Sequence, residues 1–421
     1  MLVFENLPNE VHLLIHRYLS CADILYSFYG LNIRLNRLIK RFRTNVVLCQ
    51  IEYKQLNSIC QSILPLIGTD IFNLVISNDW KGVLSKVFLN YFSNKIELVF
   101  PNLRKLILPT FRMTSLMLLV DHLKNFKQLN EIKIMSLYET SQETIQIEDL
   151  FEKILSIHVK SLIFDDDTLA LSFQNAKSII YSHIEHLVIE LKTIDDLHRL
   201  LTSFSQLKSL DVSIVEPQPQ TIEETIQFES NLSIKSFRLR SFLYLWNVET
   251  LSLILKRMPN LDELFIEICT NNDTRLLDGT QMSSLFSLFT LKTLNYSIQF
   301  DYFEETNSTE AFRSTWNDVL WIENETKTTI LLTNLPIRSQ HLYLPYSIAI
   351  DSNYLRNYSN QVRFLTLYEN SCRLAEIFPI LNQCYQLERL VLRINEEISP
   401  SKTSSCLRKT KILIMFLSRN H

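Results

Sequence analysis

Pro101-Asn102-Leu103-Arg104-Lys105-Leu106-Ile107-Leu108 sets the reading of the chain. In it an apolar residue precedes two variable ones, a second apolar residue, one variable residue and a third apolar residue. Leu106 and Leu108 alternate with a period of two, as in a strand with one buried face. The triplet recurs at Ile71/Leu74/Ile76, Leu129/Ile132/Ile134, Val159/Leu162/Phe164, Ile184/Leu187/Ile189 and Leu207/Leu210/Val212. It continues at Ile234/Phe237/Leu239, Leu261/Leu264/Ile266, Leu291/Leu294/Tyr296, Val362/Leu365/Leu367 and Leu387/Leu390/Leu392, and Leu342/Leu344 lacks the first member. In a chain that is 46% apolar one such match arises by chance in about one window in ten, so the spacing decides. Counted from each first position (Ser339 for the incomplete triplet), the steps are 32, 26, 30, 25, 23, 27, 27, 30, 48, 23 and 25. Most are at or near the roughly 20–29 residues of a repeat made of one strand and one helix.

Between triplets the period switches to about 3.6. Leu116, Val120 and Leu123 share a helix face, as do Leu150, Ile154 and Ile157. So do Leu197, Leu200, Leu201 and Phe204, then Val248, Leu251, Leu255 and Met258, and finally Leu374, Ile377, Phe378 and Leu381. Strand-then-helix units of this length stack into a solenoid, with parallel strands along its concave side. The competing reading is an ordinary α/β enzyme domain. With four glycines the chain holds no GxGxxG, no GxxxxGK followed by Ser or Thr, and no GxSxG, the loops that cradle phosphates or carry nucleophiles. The expected fold class is therefore α/β, a repeat solenoid with outer helices.

Upstream, Phe4-Glu5-Asn6-Leu7-Pro8-Asn9-Glu10-Val11 leads through Ile15, Tyr18, Leu19, Asp23, Ile24 and Leu25 to Leu31, Leu35 and Leu38. Pro8 suits a first helical turn, with Asn6 as its N-cap. Val11, Leu14, Ile15, Tyr18 and Leu19 then recur at helical spacing, Ser20 or Cys21 ends the helix, Asp23 caps the next, and Gly30 punctuates. About 40 residues of short helices close little core alone, so some of this apolar surface is expected to face a partner or the next domain. The alternative is a plain three-helix cap on the downstream core.

The start Leu7-Pro8-x-Glu10-Val11 and the block Tyr18-Leu19-Ser20-x-x-Asp23-Ile24-Leu25 resemble an F-box, although Leu31-Asn32-Ile33-Arg34-Leu35-Asn36-Arg37-Leu38 stands where many F-boxes carry a Trp. Together with the repeats, the chain resembles the F-box and leucine-rich-repeat proteins. The resemblance implies an F-box at 1–44, a helical linker or N-terminal cap at 45–70, and a repeat domain at 71–421 with an irregular segment at about 298–338. It implies the substrate-recognition subunit of a cullin-type (SCF) ubiquitin ligase, not itself a catalyst and without cofactors. Leu7, Pro8, Ile15, Leu19, Ile24, Leu25 and Leu31 would meet a Skp-type adaptor, and through it a cullin. The repeats would hold a target protein. A repeat scaffold with no ubiquitin-ligase role is the alternative. After the strand, where such repeats often place Asn or Cys, Cys269, Asn370 and Asn395 fit but Phe111, Leu137, Lys192 and Val215 do not, so irregular repeats are expected.

At 421 residues the chain can form one large or two to three ordinary domains. Its net charge of −3 gives no global polyanion-binding character. Arg34, Arg37, Lys40, Arg41 and Arg43 alternate with Leu35, Leu38, Ile39 and Phe42, which reads as a helix with a solvated basic face rather than a nucleic-acid patch. Seven scattered cysteines without a CxxC pair support neither a disulfide framework nor a zinc module. No signal peptide and no apolar run near 18 residues are evident, so a reducing compartment, cytoplasmic or nuclear, is expected.

Other constellations read as structural. His12 and His16, spaced i, i+4, are expected on an exposed or interface helix face rather than on a metal. His183 and His186 flank Glu185 at a strand start, and Asp165-Asp166-Asp167 and Asp195-Asp196 fall at a strand exit and a helix start, where carboxylates suit solvent or a helix N-terminus. Ser308 to Glu323 is expected to form a helix with Phe312, Trp316, Val319 and Leu320 on one face and Trp321 beside it, either a degenerate repeat or an inserted binding element. Strand residues two and four after each triplet start are expected to face the concave side. Among these and the next positions, Arg238, Arg240, Phe265, Tyr343, Phe364, Tyr368, Arg389 and Arg393 are the candidate target-binding residues, the alternative being a solvated mixed-charge surface.

Overall fold

All twelve triplets start a strand two residues after their first position. The computed structural model describes residues 7–77, 83–93, 95–135, 137–138, 147–164, 170–173, 181, 183–215, 231, 233–271, 273–301, 309–316, 320–323, 329–333, 341–344, 364–369, 389–396 and 409–416. In chain order its strands are β1 (Asn45–Leu48), β2 (Asn73–Ile76), β3 (Lys105–Leu108), β4 (Phe111–Arg112), β5 (Glu131–Ile134) and β6 (Leu137–Tyr138). There follow β7 (Ser161–Phe164), β8 (His186–Leu191), β9 (Ser209–Ile214), β10 (Ser236–Leu245), β11 (Glu263–Thr270) and β12 (Thr293–Asp301). The last six are β13 (Leu320–Glu323), β14 (Thr329–Thr333), β15 (His341–Leu344), β16 (Phe364–Glu369), β17 (Arg389–Glu396) and β18 (Lys409–Phe416).

The fold is α/β. Two compact units divide it, residues 1–238 with 256–260 and residues 239–255 with 261–421. In the first, β1, β2, β3, β5, β7, β8 and β9 lie side by side in that order, each parallel to its neighbour. β10 belongs in part to each unit. In the second, β11 and β12 are parallel, and β14 then β13 continue the order antiparallel. A separate sheet of this unit orders β15, β16 and β17 in parallel and adds β18 antiparallel. Ile412, Leu413 and Ile414 lie on β18.

The triplets define the core. Every member from Ile71 to Ile266 in the first eight triplets is buried, whereas Leu291 and Leu294 of the ninth are only half-buried. From β2 onward the steps in the first unit are locked by one repeated backbone device. The carbonyl of the residue after the first triplet position accepts from two successive N–H groups of the next unit, as Lys160 does from Glu185 (2.8 Å) and His186 (2.9 Å). Arg104, Asn130, Glu185 and Lys208 repeat it. The helices Met113–Leu123, Ile147–Leu155 and Ile194–Ser203 bury the faces read from the sequence, and Val248–Lys256 buries Leu251 and Leu255 but leaves Val248 half-buried. Where an Asn ladder is missing, Phe111 and Leu137 are buried and pair β4 with β6 in a small parallel sheet.

Two expectations are corrected. The 45–70 segment is not wholly helical: β1 pairs with β2 over four positions, because Val46 and Leu48 alternate inward although Arg43 occupies the first triplet position. Of the helix expected over 308–323, the described residues show Thr309–Arg313, and Leu320–Glu323 is β13 instead. β-Branched and aromatic residues there pair with β14 more favourably than they extend a helix. Val319 lies outside the described residues, as do Leu374, Ile377, Phe378 and Leu381.

Candidate protein-docking surfaces

The N-terminal helices are α1 (Asn9–His16), α2 (Cys21–Phe28), α3 (Ile33–Leu38) and α4 (Lys40–Thr44). Pro8 is the residue before the first turn of α1, and its carbonyl accepts from Val11 and His12 at 3.1 and 3.2 Å. Asn6 lies outside the described residues. Ser20, not Asp23, caps α2: the Asp23 N–H donates to Ser20 Oγ at 3.0 Å, and Asp23 at the third position closes the capping box. The Ser20 hydroxyl and then the Gln55 amide hold the Asp23 carboxyl below its usual range. Asn32 caps α3, and Gly30 makes the preceding turn at φ +83°, where a side chain would be strained.

Burial sorts the candidate residues. Ile24 and Leu25 are fully buried in α2, so they cannot belong to an adaptor-facing surface as expected. Their helix packs on β1 and on the helix Tyr53–Ser58, and it needs both side chains as core. Leu7, Ile15 and Leu19 are half-buried, and Pro8 and Leu31 are exposed. His12 and His16, expected on an exposed or interface helix face, are buried within the chain. The His16 ring lies 5.0 Å from that of Phe28 and 5.9 Å from that of Phe42. Burial, then nearby positive charge, lowers both imidazole pKa values.

The outer side holds what the sequence reading missed. Leu14, Tyr18, Tyr26 and Ile33 are exposed, at 51%, 84%, 44% and 73%, as is Leu31 at 55%. Among the described residues twelve large hydrophobic side chains are exposed, and these five fall within positions 14–33. Their signal was present as apolar residues at helical spacing, but spacing alone does not say which side of so short a helix faces inward. Arg34 ties α3 to the start of α1, its Nε donating to Asn9 Oδ1 at 2.7 Å and its Nη2 to the Leu7 carbonyl. The basic residues of α3 and α4 are solvated as expected, except that Arg43 is half-buried against Asp70.

The candidate target-binding residues are not brought into one site by the described structure. Arg238 is exposed on β10, 3.6 Å from Asp211, so its charge is already partnered. Arg240 on β10 and Phe265 on β11 are half-buried. Tyr343, Phe364, Tyr368, Arg389 and Arg393 occupy β15, β16 and β17, where Phe364 is in register with Arg389 and Tyr368 with Arg393. Their side chains lie outside the described residues. The acidic pair at the helix start is structural: Asp196 closes a capping box with Thr193 and accepts from the Phe173 N–H at 2.5 Å. Asp165, Asp166 and Asp167 lie outside the described residues.

Among the described residues no group of three His, Cys, Asp or Glu could hold a metal ion, and no helix is long and apolar enough to cross a membrane. Compared with protein-family models and with curated proteins, the chain matches none.

Proposed function

We propose that the chain is the substrate-recognition subunit of a cullin-type (SCF) ubiquitin ligase, with the N-terminal helices binding a Skp-type adaptor and the repeats presenting a target protein. One observation supports the reading: five large apolar side chains are exposed on the N-terminal helices and the turns between them, a segment that already has a closed core of Ala22, Ile24, Leu25, Leu35 and Ile39. A cap that only covered the end of the sheet would not need five large apolar side chains in water within 20 residues of sequence, and apolar surface of this kind suits a partner. The Leu7-Pro8 start and the Tyr18-to-Leu25 block supply the resemblance that names the partner. In this reading the ligation chemistry belongs to other subunits.

A second reading, a repeat scaffold without a ubiquitin role, is favoured by the inward packing of Ile24 and Leu25, two positions of the resembling block. Pull-down of a recombinant Skp-type adaptor by the full chain separates the two. Capture that is lost in the Leu7→Ala, Pro8→Ala double variant supports the ligase reading, and no capture by the wild-type chain leaves the scaffold.

A further inference from the structure

Helix α1 turns its two histidines inward. Of its 8 residues only His12 and His16 are buried, at 0% and 2% exposure, while Val11, Leu13 and Ile15 are half-buried and Leu14 is exposed. We propose that this pair is a proton-operated latch: α1 stays docked while both imidazoles are neutral and is released when they are protonated. A helix docked for stability alone would bury its leucines, because an imidazole loses its hydrogen bonds to water on burial. His16 does not replace them: neither Nδ1 nor Nε2 has a hydrogen-bond partner among the described residues. Its ring meets only other rings, Phe28 of α2 at 5.0 Å, Phe42 of α4 at 5.9 Å and edge-on, and His12 at 6.5 Å.

Among the described residues the charges that act on the pair are positive. Arg34 of α3 bears on His12, and His12 and Arg41 of α4 bear on His16. On α1 and the turn after it Glu10 and Arg17 are exposed, as are Arg37 and Lys40 further on. The buried face of α2 is Ala22, Ile24, Leu25 and Phe28. Asp23 is taken by Ser20 and Gln55, and Arg43 by Asp70. A proton on either ring therefore meets an apolar surround and a second positive charge. Release is local: α1 packs on α3, and Arg34 ties its start through Asn9 and the Leu7 carbonyl, so opening it leaves the sheet intact. The open form exposes imidazoles of ordinary pKa, about 6.5, and takes up the protons that the docked form refuses. Docking is thus complete above about pH 6.5 and is lost as pH falls below it. Release carries off Leu14 and, in the following turn, Tyr18, so the latch gates whatever binds there. The inference does not rest on the adaptor reading.

Amide hydrogen exchange of the full chain at pH 7.5 and pH 5.5, each corrected for the intrinsic rate, tests the latch without any partner. At pH 7.5 the α1 amides should be less protected than those of β8, the mark of local opening. At pH 5.5 their protection should fall by about tenfold for each imidazole, because opening then takes up one proton per ring. In His16→Leu and in His16→Gln that fall should be about tenfold smaller than in the wild type. The two variants differ in shape and polarity, so a shared result reports the lost titration rather than a packing change. Equal protection of α1 and β8 at pH 7.5 would mean that α1 opens only with the whole unit. An undiminished pH effect in either variant would mean that His16 does not take up the proton. Either result overturns the proposal.

Discussion

Arg257 and His198 are 59 residues apart in sequence, yet Arg257 Nη1 lies 3.0 Å from the His198 carbonyl and 3.1 Å from His198 Nδ1. Nη2 of the same guanidinium donates to Thr202 Oγ1 at 2.9 Å. All of these acceptors belong to the last turns of the helix Ile194–Ser203, whose carbonyl end favours a cation. Both side chains are buried, at 3% and 5% exposure. Arg257→Met removes three charge-assisted hydrogen bonds at once and should cost about 2–4 kcal/mol. Chemical denaturation at pH 7 checks it, and a loss below about 0.5 kcal/mol would show that this contact does not hold the helix end.

The same pair sets an acid sensitivity. Burial, and then the charge of Arg257, pushes the His198 pKa down from 6.5 to about 4. Between those values the unfolded chain binds the proton that the folded chain refuses. The contribution is thus complete above pH 6.5 and is lost progressively as pH falls to about 4, on the order of 2–3 kcal/mol. His12, His16 and His183 are lowered in the same direction and add to the slope. Denaturation midpoints at pH 7.5 and pH 5 should therefore differ less in His198→Gln than in the wild type. Identical differences in the two proteins would remove His198 from the account.

Neighbouring residues on one strand should respond very differently. Leu187 is 1% exposed inside the core, and Val188 beside it lies half-buried on the opposite face. Leu187→Ala should cost about 2–5 kcal/mol, as should the same change at Leu106, Leu210 or Leu264, all equally buried. Val188→Ala should cost under about 1 kcal/mol. Equal losses at 187 and 188 would mean that the strand register is misplaced.

The strand register could be read from the sequence because it depends on local alternation repeated twelve times, and each repeat corrects errors in the others. β1 escaped because Arg43 breaks the pattern at its first position, and pairing with β2 replaced the missing anchor. The inward turn of His12, His16, Ile24 and Leu25 was not legible. Helices of eight residues make barely two turns, and only the packing of α1 on α3 and of α2 on β1 decides which side is core.

Gly279 fixes the segment before β13. Its N–H donates to Thr315 Oγ1 at 2.8 Å, and a Cβ at this position would overlap the Thr315 carbonyl. Trp316 beside it donates Nε1–H to the Leu277 carbonyl at 2.6 Å and lies 5.1 Å from the Tyr296 ring. Phe312 packs on Leu277, Phe300 and Ile330. These contacts dock the described part of the segment, with Phe312 and Trp316 half-buried, on the second unit's core. Gly279→Ala should cost about 1–3 kcal/mol by overpacking and shift the Trp316 fluorescence to the red. An unchanged spectrum with unchanged stability would show that the segment is not docked there.

The N-terminal helices offer the sharpest separation of docking from folding. Tyr18 and Ile33 are 84% and 73% exposed, so Tyr18→Ser with Ile33→Asp removes contact area without touching the core and should shift stability by no more than about 0.5 kcal/mol per site. If these residues meet a Skp-type adaptor, binding should fall by a factor of ten or more, since about 1.4 kcal/mol of lost contact is already tenfold. Ile24→Ala should do the opposite in its first effect, destabilising the helices by about 2–5 kcal/mol because the side chain is fully buried. Any loss of adaptor binding in that variant should follow its loss of structure. Calorimetric titration of the adaptor alongside thermal melts of the three proteins separates the effects. Full binding by the double variant would take these side chains out of the interface, and weakened binding by a fully folded Ile24→Ala would put a buried position into it.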